Sequence, residues 1–218
     1  MDKLQKREKR NWFLFMIGYF TAGYLAINWF TQGRSGFFDL GFPFEQDIPF
    51  VPIFIFGYIL VYVSVLLVYL IFDDWDDWRR AIITFLGATT LAYLFFIFLP
   101  VRMSLRPDLT GLTGIGASVS RFYYFIDLPY NCFPSLHVTY PSLATLVSWR
   151  HHRIMRWVFA AMTLIVALSV VLVKQHYIAD VAGGFLNASL IYWLTVRSES
   201  WFSCCRGARN MVNSAPAK

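Results

Sequence analysis

Pro49–Phe72 reads PFVPIFIFGYILVYVSVLLVYLIF, an unbroken run with no charged residue. A helix needs roughly 20 apolar residues to cross the hydrocarbon core of a bilayer, so this run predicts a membrane span. Working outward, further apolar runs lie at about 12–30, 81–101, 136–149, 155–173 and 178–196. The economical reading is an all-α polytopic membrane protein with six transmembrane helices in one bundle, because unpaired backbone groups cannot face lipid. The composition of the 218 residues agrees, with 57% hydrophobic, 19% aromatic and only 15% charged. Soluble domains average roughly 45–50% apolar and about 25% charged. A disordered chain, a secreted disulfide scaffold and an ordinary soluble enzyme are thereby excluded. Cys132, Cys204 and Cys205 show neither a disulfide framework nor zinc spacing, and read as small apolar side chains at a membrane border.

The net charge of +6 is better explained by the cation bias of cytoplasmic loops than by a nucleic-acid partner. Residues 1–11 form a basic N-terminal segment with Lys3, Lys6, Arg7, Lys9 and Arg10. The run that follows is long and lacks a small-x-small cleavage site, so it reads as an uncleaved first span. The positive-inside rule then places both termini in the cytoplasm. Residues 73–80 and 149–157 fall on the same side, the latter with Arg150, Arg153 and Arg156. Segments 31–48, 102–135 and 174–177 fall outside. Residues 12–197 form the membrane domain, with a catalytic core at about 80–196, and 198–218 read as a disordered cytoplasmic tail. Within 102–135, the aromatic stretch Phe122–Phe133 suits an interfacial belt or a re-entrant segment, and Pro129 and Pro134 bracket a bend.

Ionisable groups at membrane depth are costly and mark function. His137 opens the fourth run, His176 and Asp180 flank the turn into the sixth, and Arg102, Arg106 and Asp108 follow the third. All are expected on the outer face. His176 and Asp180 are i and i+4, so on a helix they share a side. A carboxylate on one ring nitrogen fixes the tautomer and makes the other a better nucleophile or base. A second histidine can serve as acid, and nearby Arg and Lys can neutralise phosphate oxygens, Arg through its planar fork. Two histidines, an aspartate and cations suit phosphoryl transfer better than metal-dependent hydrolysis.

These residues resemble the type 2 phosphatidic acid phosphatase superfamily, whose members look like K-x6-R-P, then P-S-x-H, then S-R-x5-H-x3-D. Pro134-Ser135-Leu136-His137 matches the second motif, Ser169, His176 and Asp180 fit the third, and Arg106-Pro107 ends the first. The first motif's Lys position is Leu99 and the third's Arg position is Val170; Arg102 and Lys174 are the neighbouring substitutes. The wording around His137 and His176 is similar to the inositol phosphorylceramide and sphingomyelin synthase branch. The resemblance implies that His176 attacks phosphorus to form a phosphohistidine, Asp180 orients it, and His137 protonates the leaving oxygen and later activates the acceptor. Ser135, Arg106, Lys174 and Arg102 would hold the phosphate oxygens. It implies no metal and no cofactor. The partners implied are a lipid phosphate, the lipid bilayer and an acceptor that is water, an alcohol or a lipid. Water gives a phosphatase; an alcohol gives a headgroup transferase. The oligomeric state is left open.

Other features read more plainly. Asp73-Asp74-Trp75-Asp76-Asp77-Trp78 is expected as a solvated loop with interfacial Trp anchors, on the face opposite the histidines. Gly111, Gly114 and Gly116 fit a flexible outer loop. Gly183-Gly184 suggests close helix approach near His137. His151 and His152 read as headgroup-facing. The rival readings are a small transporter with a His/Asp relay and an inactive lipid-binding scaffold.

Overall fold

A computed structural model describes residues 1–149 and 152–213, with side-chain surroundings through Thr195. Among the described residues the chain is helical, with one isolated bridge between Phe38 and Val101. The helices are α1 (Lys3–Gln32), α2 (Ile55–Ile71), α3 (Trp75–Phe98), α4 (Ile115–Ile126), α5 (Leu136–Ser148), α6 (Met155–Leu172) and α7 (Ile178–Asn213). Short 3₁₀ turns at Pro43–Gln46 and Pro52–Phe54 precede α2.

Four helices are long and apolar enough to cross a membrane: α1, the Pro52–Ile71 stretch that contains α2, α3 and α6. This is an integral membrane protein. The expected count of six is met by four on this measure. α5 has only 13 residues, about 20 Å at 1.5 Å per residue, and α7 carries Asp180 and Asn187 within its apolar run.

Two boundaries depart from the sequence reading for one physical reason, helix capping. The basic N-terminal segment is already helical, because the Asp2 side chain accepts from the Gln5 N–H at 2.8 Å while the Gln5 side chain accepts from the Asp2 N–H at 3.1 Å. Such a capping box satisfies two otherwise orphaned donors. Likewise the acidic run at 73–78 is no loop. Asp74 caps α3 by accepting from the N–H groups of Asp76 and Asp77, and Asp76 and Asp77 sit in the first turn, where the helix dipole favours negative charge. Trp78 is consequently buried in the core rather than anchored at an interface. Lys9 is buried beside it, donating to the Phe72 carbonyl at 2.7 Å.

α7 continues to Asn213, so the tail expected from 198 begins inside a helix. Arg150, His151 and residues 214–218 lie outside the described residues. So do the side chains of Cys204 and Cys205. His152 packs against Phe72, with ring centroids 4.8 Å apart. The outer segment contains α4, whose 12 residues span only about 18 Å. Ile115, Phe122 and Phe125 are exposed on it.

α5 lies at the centre, packed against α2, α3, α6 and α7, whereas α1 packs chiefly on α3. The core runs through Val65, Phe85, Tyr140, Leu143 and Ala188. Polar pairs tie the central helices together. Thr139 Oγ1 donates to the Gly184 carbonyl at 3.2 Å, and Asn187 Nδ2 donates to the Ala88 carbonyl at 3.1 Å.

Candidate active site

The site is assembled at two helix starts. Ser135 is the N-cap of α5, its hydroxyl accepting from the Val138 N–H at 3.4 Å, which puts His137 in the first turn. On the other side, α6 ends at Leu172 and the chain reverses through Lys174, whose φ of 51° is left-handed. The N–H groups of Gln175 and His176 both donate to the Val170 carbonyl, at 2.9 and 3.1 Å, satisfying a carbonyl orphaned at the helix end. His176 therefore stands in the turn before α7, not on the helix with Asp180 as its spacing suggested. The two still meet, because Asp180 Oδ2 accepts from the Tyr177 N–H at 2.9 Å and folds back over the turn.

The outcome is a three-membered row. Asp180 Oδ2 lies 3.4 Å from His176 Nδ1, and His176 Nε2 lies 3.3 Å from His137 Nδ1. Asp180 is fully buried and His176 nearly so. The close approach of α5 and α7 depends on glycine, as the sequence suggested. A Cβ on Gly184 would lie 2.7 Å from the Ser135 carbonyl, and one on Gly183 would collide with the Phe133 ring. The Ser135 N–H donates to the Asp180 carbonyl at 3.1 Å, locking the two helix starts together.

The cations divide. Arg106 reaches the site, with Nη2 donating to Gln175 Oε1 next to His176 and its guanidinium 4.6 Å above the Tyr124 ring. Its Nε, the Gln175 Nε2 and the Asp180 Oδ1 are buried with no protein partner. Buried polar atoms left unpaired cost free energy, so a polar group that paired with them would be stabilised here. Lys174 turns away from the histidines and donates to the Glu45 carbonyl at 2.8 Å. Burial lowers its pKa below the ordinary lysine value, opposed by the Glu45 carboxylate. Arg102 is exposed and lies over the Phe37 and Tyr130 rings. Ser135 is fully buried, and its hydroxyl caps α5. Asp108 is exposed and bonded to Thr110.

Several residues that the sequence reading did not single out shape the site. Glu45 is almost fully buried, and its carboxylate accepts from the Ile178 N–H at 2.6 Å and the Phe42 N–H at 2.7 Å. It thus pins the start of α7 to the 42–47 loop. Asp127 accepts from the hydroxyls of Tyr24 on α1 and Tyr58 on α2, each at 2.5 Å. The Tyr58 ring in turn stacks on His137, with centroids 4.2 Å apart. Asn131, in a left-handed conformation with φ 59°, has both side-chain polar atoms buried and unpaired. The sequence signal available for Asp127 and Asn131 was an isolated polar residue inside the aromatic stretch 122–133.

A cavity of about 230 Å³ opens onto His137 and His176 and is also lined by Tyr24, Tyr62, Asp127 and Asn131. Cys132, His176 and Asp180 bring one potential ligand atom each within 4.8 Å of one another. Burial and the Asp180 carboxylate push the Cys132 thiol up, favouring the thiol over the thiolate that binds metal.

The profile of the PAP2 superfamily matches residues 47–194. The chain belongs to the PAP2 superfamily. No curated protein and no solved structure matches it significantly. The matched PAP2 region contains Arg106, His137, His176 and Asp180, and begins after α1 and Glu45. In this PAP2 chain the position corresponding to the third motif's Arg is Val170, fully buried among Ile55, Tyr58 and Val138. Ser169 lies against Gly57 of α2, where no Cβ fits.

Proposed function

We propose that this PAP2-superfamily protein is a lipid-phosphate phosphatase or phosphotransferase that works through a phosphohistidine. The observation that carries the reading is the Asp180–His176–His137 row, with contacts of 3.4 and 3.3 Å. Asp180 keeps the proton on His176 Nδ1, which leaves the Nε2 lone pair free to attack phosphorus. The P–O bond to the leaving group breaks as His137 delivers a proton to that oxygen. In the second half, His137 takes a proton from the acceptor hydroxyl while its oxygen attacks phosphorus. The P–N bond then breaks and His176 is restored. Phosphoryl transfer depends mainly on positioning and charge neutralisation, a task for Arg106 and the unpaired groups of Gln175 and Asn131. Arg102, Lys174 and Ser135 would contribute indirectly, the last two by holding the turn and the α5 start in place.

Topology is part of the proposal. The basic N-terminus lies in the cytoplasm, and α5 and α7 complete a six-span bundle. The histidines then face the extracytoplasmic interface, where a lipid phosphate presents its head. The test is purified protein with a panel of lipid phosphates, scoring free phosphate and newly formed headgroup lipid. Free phosphate alone selects water as acceptor, and a new lipid selects an alcohol. Turnover that survives His176→Ala in folded protein would sink the proposal.

A further inference from the structure

A second cavity, of about 140 Å³, lies between α1 and α2 over α5. Met16 and Phe20 of α1 face Val61 and Val65 of α2 across it, with Leu136 and His137 at its inner wall. The reason for the gap is packing: α1 rests on α3, where Tyr93 donates to the Phe20 carbonyl at 2.6 Å and leaves no room for a side chain at Gly23. Both ends of the gap are bridged. Phe13 stacks on Tyr69 at 4.4 Å at one end, and the Asp127 carboxylate joins Tyr24 to Tyr58 at the other. The crevice shares Phe20, Tyr62, Leu136 and His137 with the cavity around the catalytic row. It therefore leads from an almost wholly apolar slot directly to the proposed acid.

We propose that this crevice binds one hydrocarbon chain of the substrate, admitted sideways from the bilayer, and that α1 supplies its outer wall. The proposal rests on the phosphoryl-transfer reading of His137 and His176. It also goes beyond the matched PAP2 region, which begins only at residue 47. Phe13 to Phe20 lines about 10 Å of the slot at 1.5 Å per residue, and the proposal commits this narrow cavity of about 140 Å³ to one extended chain. The length is bounded as well. From Tyr24 to the Phe13–Tyr69 stack is about 16 Å of helix, beyond which a longer chain must turn out into the lipid.

The experiment uses the full chain in detergent with n-alkyl monophosphates from butyl to octadecyl. Turnover per enzyme should improve with chain length and then level off once the slot is full. A hexadecyl phosphate carrying a terminal diazirine should label the peptides spanning Phe13–Phe20 and Val61–Leu66, and unlabelled hexadecyl phosphate should compete. Val65→Trp should raise KM for hexadecyl phosphate at least tenfold more than for butyl phosphate. Leu168→Trp, on the exposed face of α6, should leave that ratio as it is. Label spread mainly over the Leu164 and Leu168 face, or equal KM changes for long and short chains with Val65→Trp, would overturn the proposal. Labelling needs no turnover, so the two readings fail separately. Crevice labelling in a His176→Asn protein that still releases phosphate supports the chain site while sinking the phosphohistidine.

Discussion

His137 and His176, 39 positions apart in the chain, bring Nδ1 and Nε2 to 3.3 Å of each other. Two ring nitrogens in contact leave no space for phosphorus between them, so the rings must part when a phosphoryl group binds. Removing either ring tests the division of labour. His176→Ala should lower phosphate release by at least about 10³-fold, as expected for loss of a nucleophile. His137→Asn should cost roughly 10²–10⁴-fold, the range for general acid–base groups. Thermal unfolding of both variants in detergent checks that the fold persists.

Asp180 Oδ2 accepts from the Tyr177 N–H and lies at ion-pair distance, 3.4 Å, from His176 Nδ1. Asp180→Asn keeps an acceptor for the first and loses the charge for the second. Its kcat should fall about 10²–10⁴-fold, by analogy with an aspartate that holds a histidine tautomer, with a small change in Tm. Asp180→Ala should add a stability loss of about 1–3 kcal/mol, because a buried donor loses its partner. Equal Tm values for the two variants would contradict the role of Asp180 at the Tyr177 N–H.

Gly184→Ala tests whether the helix contact positions the chemistry. Its Cβ would lie 2.7 Å from the Ser135 carbonyl and 3.0 Å from Val138 Cβ, and backbone cannot swing aside. Overpacking of this kind costs about 1–3 kcal/mol. A shift of about 1 Å at His137 can cost 10²-fold in rate. Gly18→Ala, where a Cβ meets nothing within 4 Å, should leave both Tm and kcat near wild type.

Lys174 gives a pH signature. Burial lowers its pKa from 10.5. Between that lowered value and 10.5, the unfolded chain keeps a proton that the folded chain has released. Stability contributed by Lys174 therefore rises with pH across this window. The Tm of wild type relative to Lys174→Met should increase as pH rises through the lowered pKa toward 10.5; a flat difference would show that Lys174 titrates alike in both states.

Arg106→Lys should raise KM for a lipid phosphate about tenfold, because a point charge cannot replace the planar fork. It also loses the stack on Tyr124. Initial-rate kinetics separate the two parameters, and a change confined to kcat would move Arg106 from binding to chemistry.

Much of this was readable along the chain. Pro134-Ser135-Leu136-His137 and His176–Asp180 are short contiguous patterns, and local geometry translates them directly into a cap, a turn and a contact. The helix starts at Asp2 and Asp74 were equally local, but their acidic and basic neighbours read as solvated segments, and capping outweighed that impression. Glu45 and Asp127 were hidden for another reason. Each is a lone acid whose partners lie on other elements, Ile178 for one and Tyr24 with Tyr58 for the other. No periodicity announces such pairings. Arg102 and Lys174 lay at suitable sequence positions, yet the backbone directs one outward and the other to Glu45.

The grip of Glu45 on Ile178 and Lys174 spans separations of 133 and 129 residues, among the longest in the molecule. Loop closure over such distances comes late in folding. The individual helices and the α5–α7 pairing can form from neighbouring stretches of chain as they insert. The turn that carries His176 is fastened only when the 42–47 loop meets the start of α7. Under the phosphoryl-transfer proposal, a chain in which this loop has not closed carries both histidines without the contacts that fasten the His176 turn.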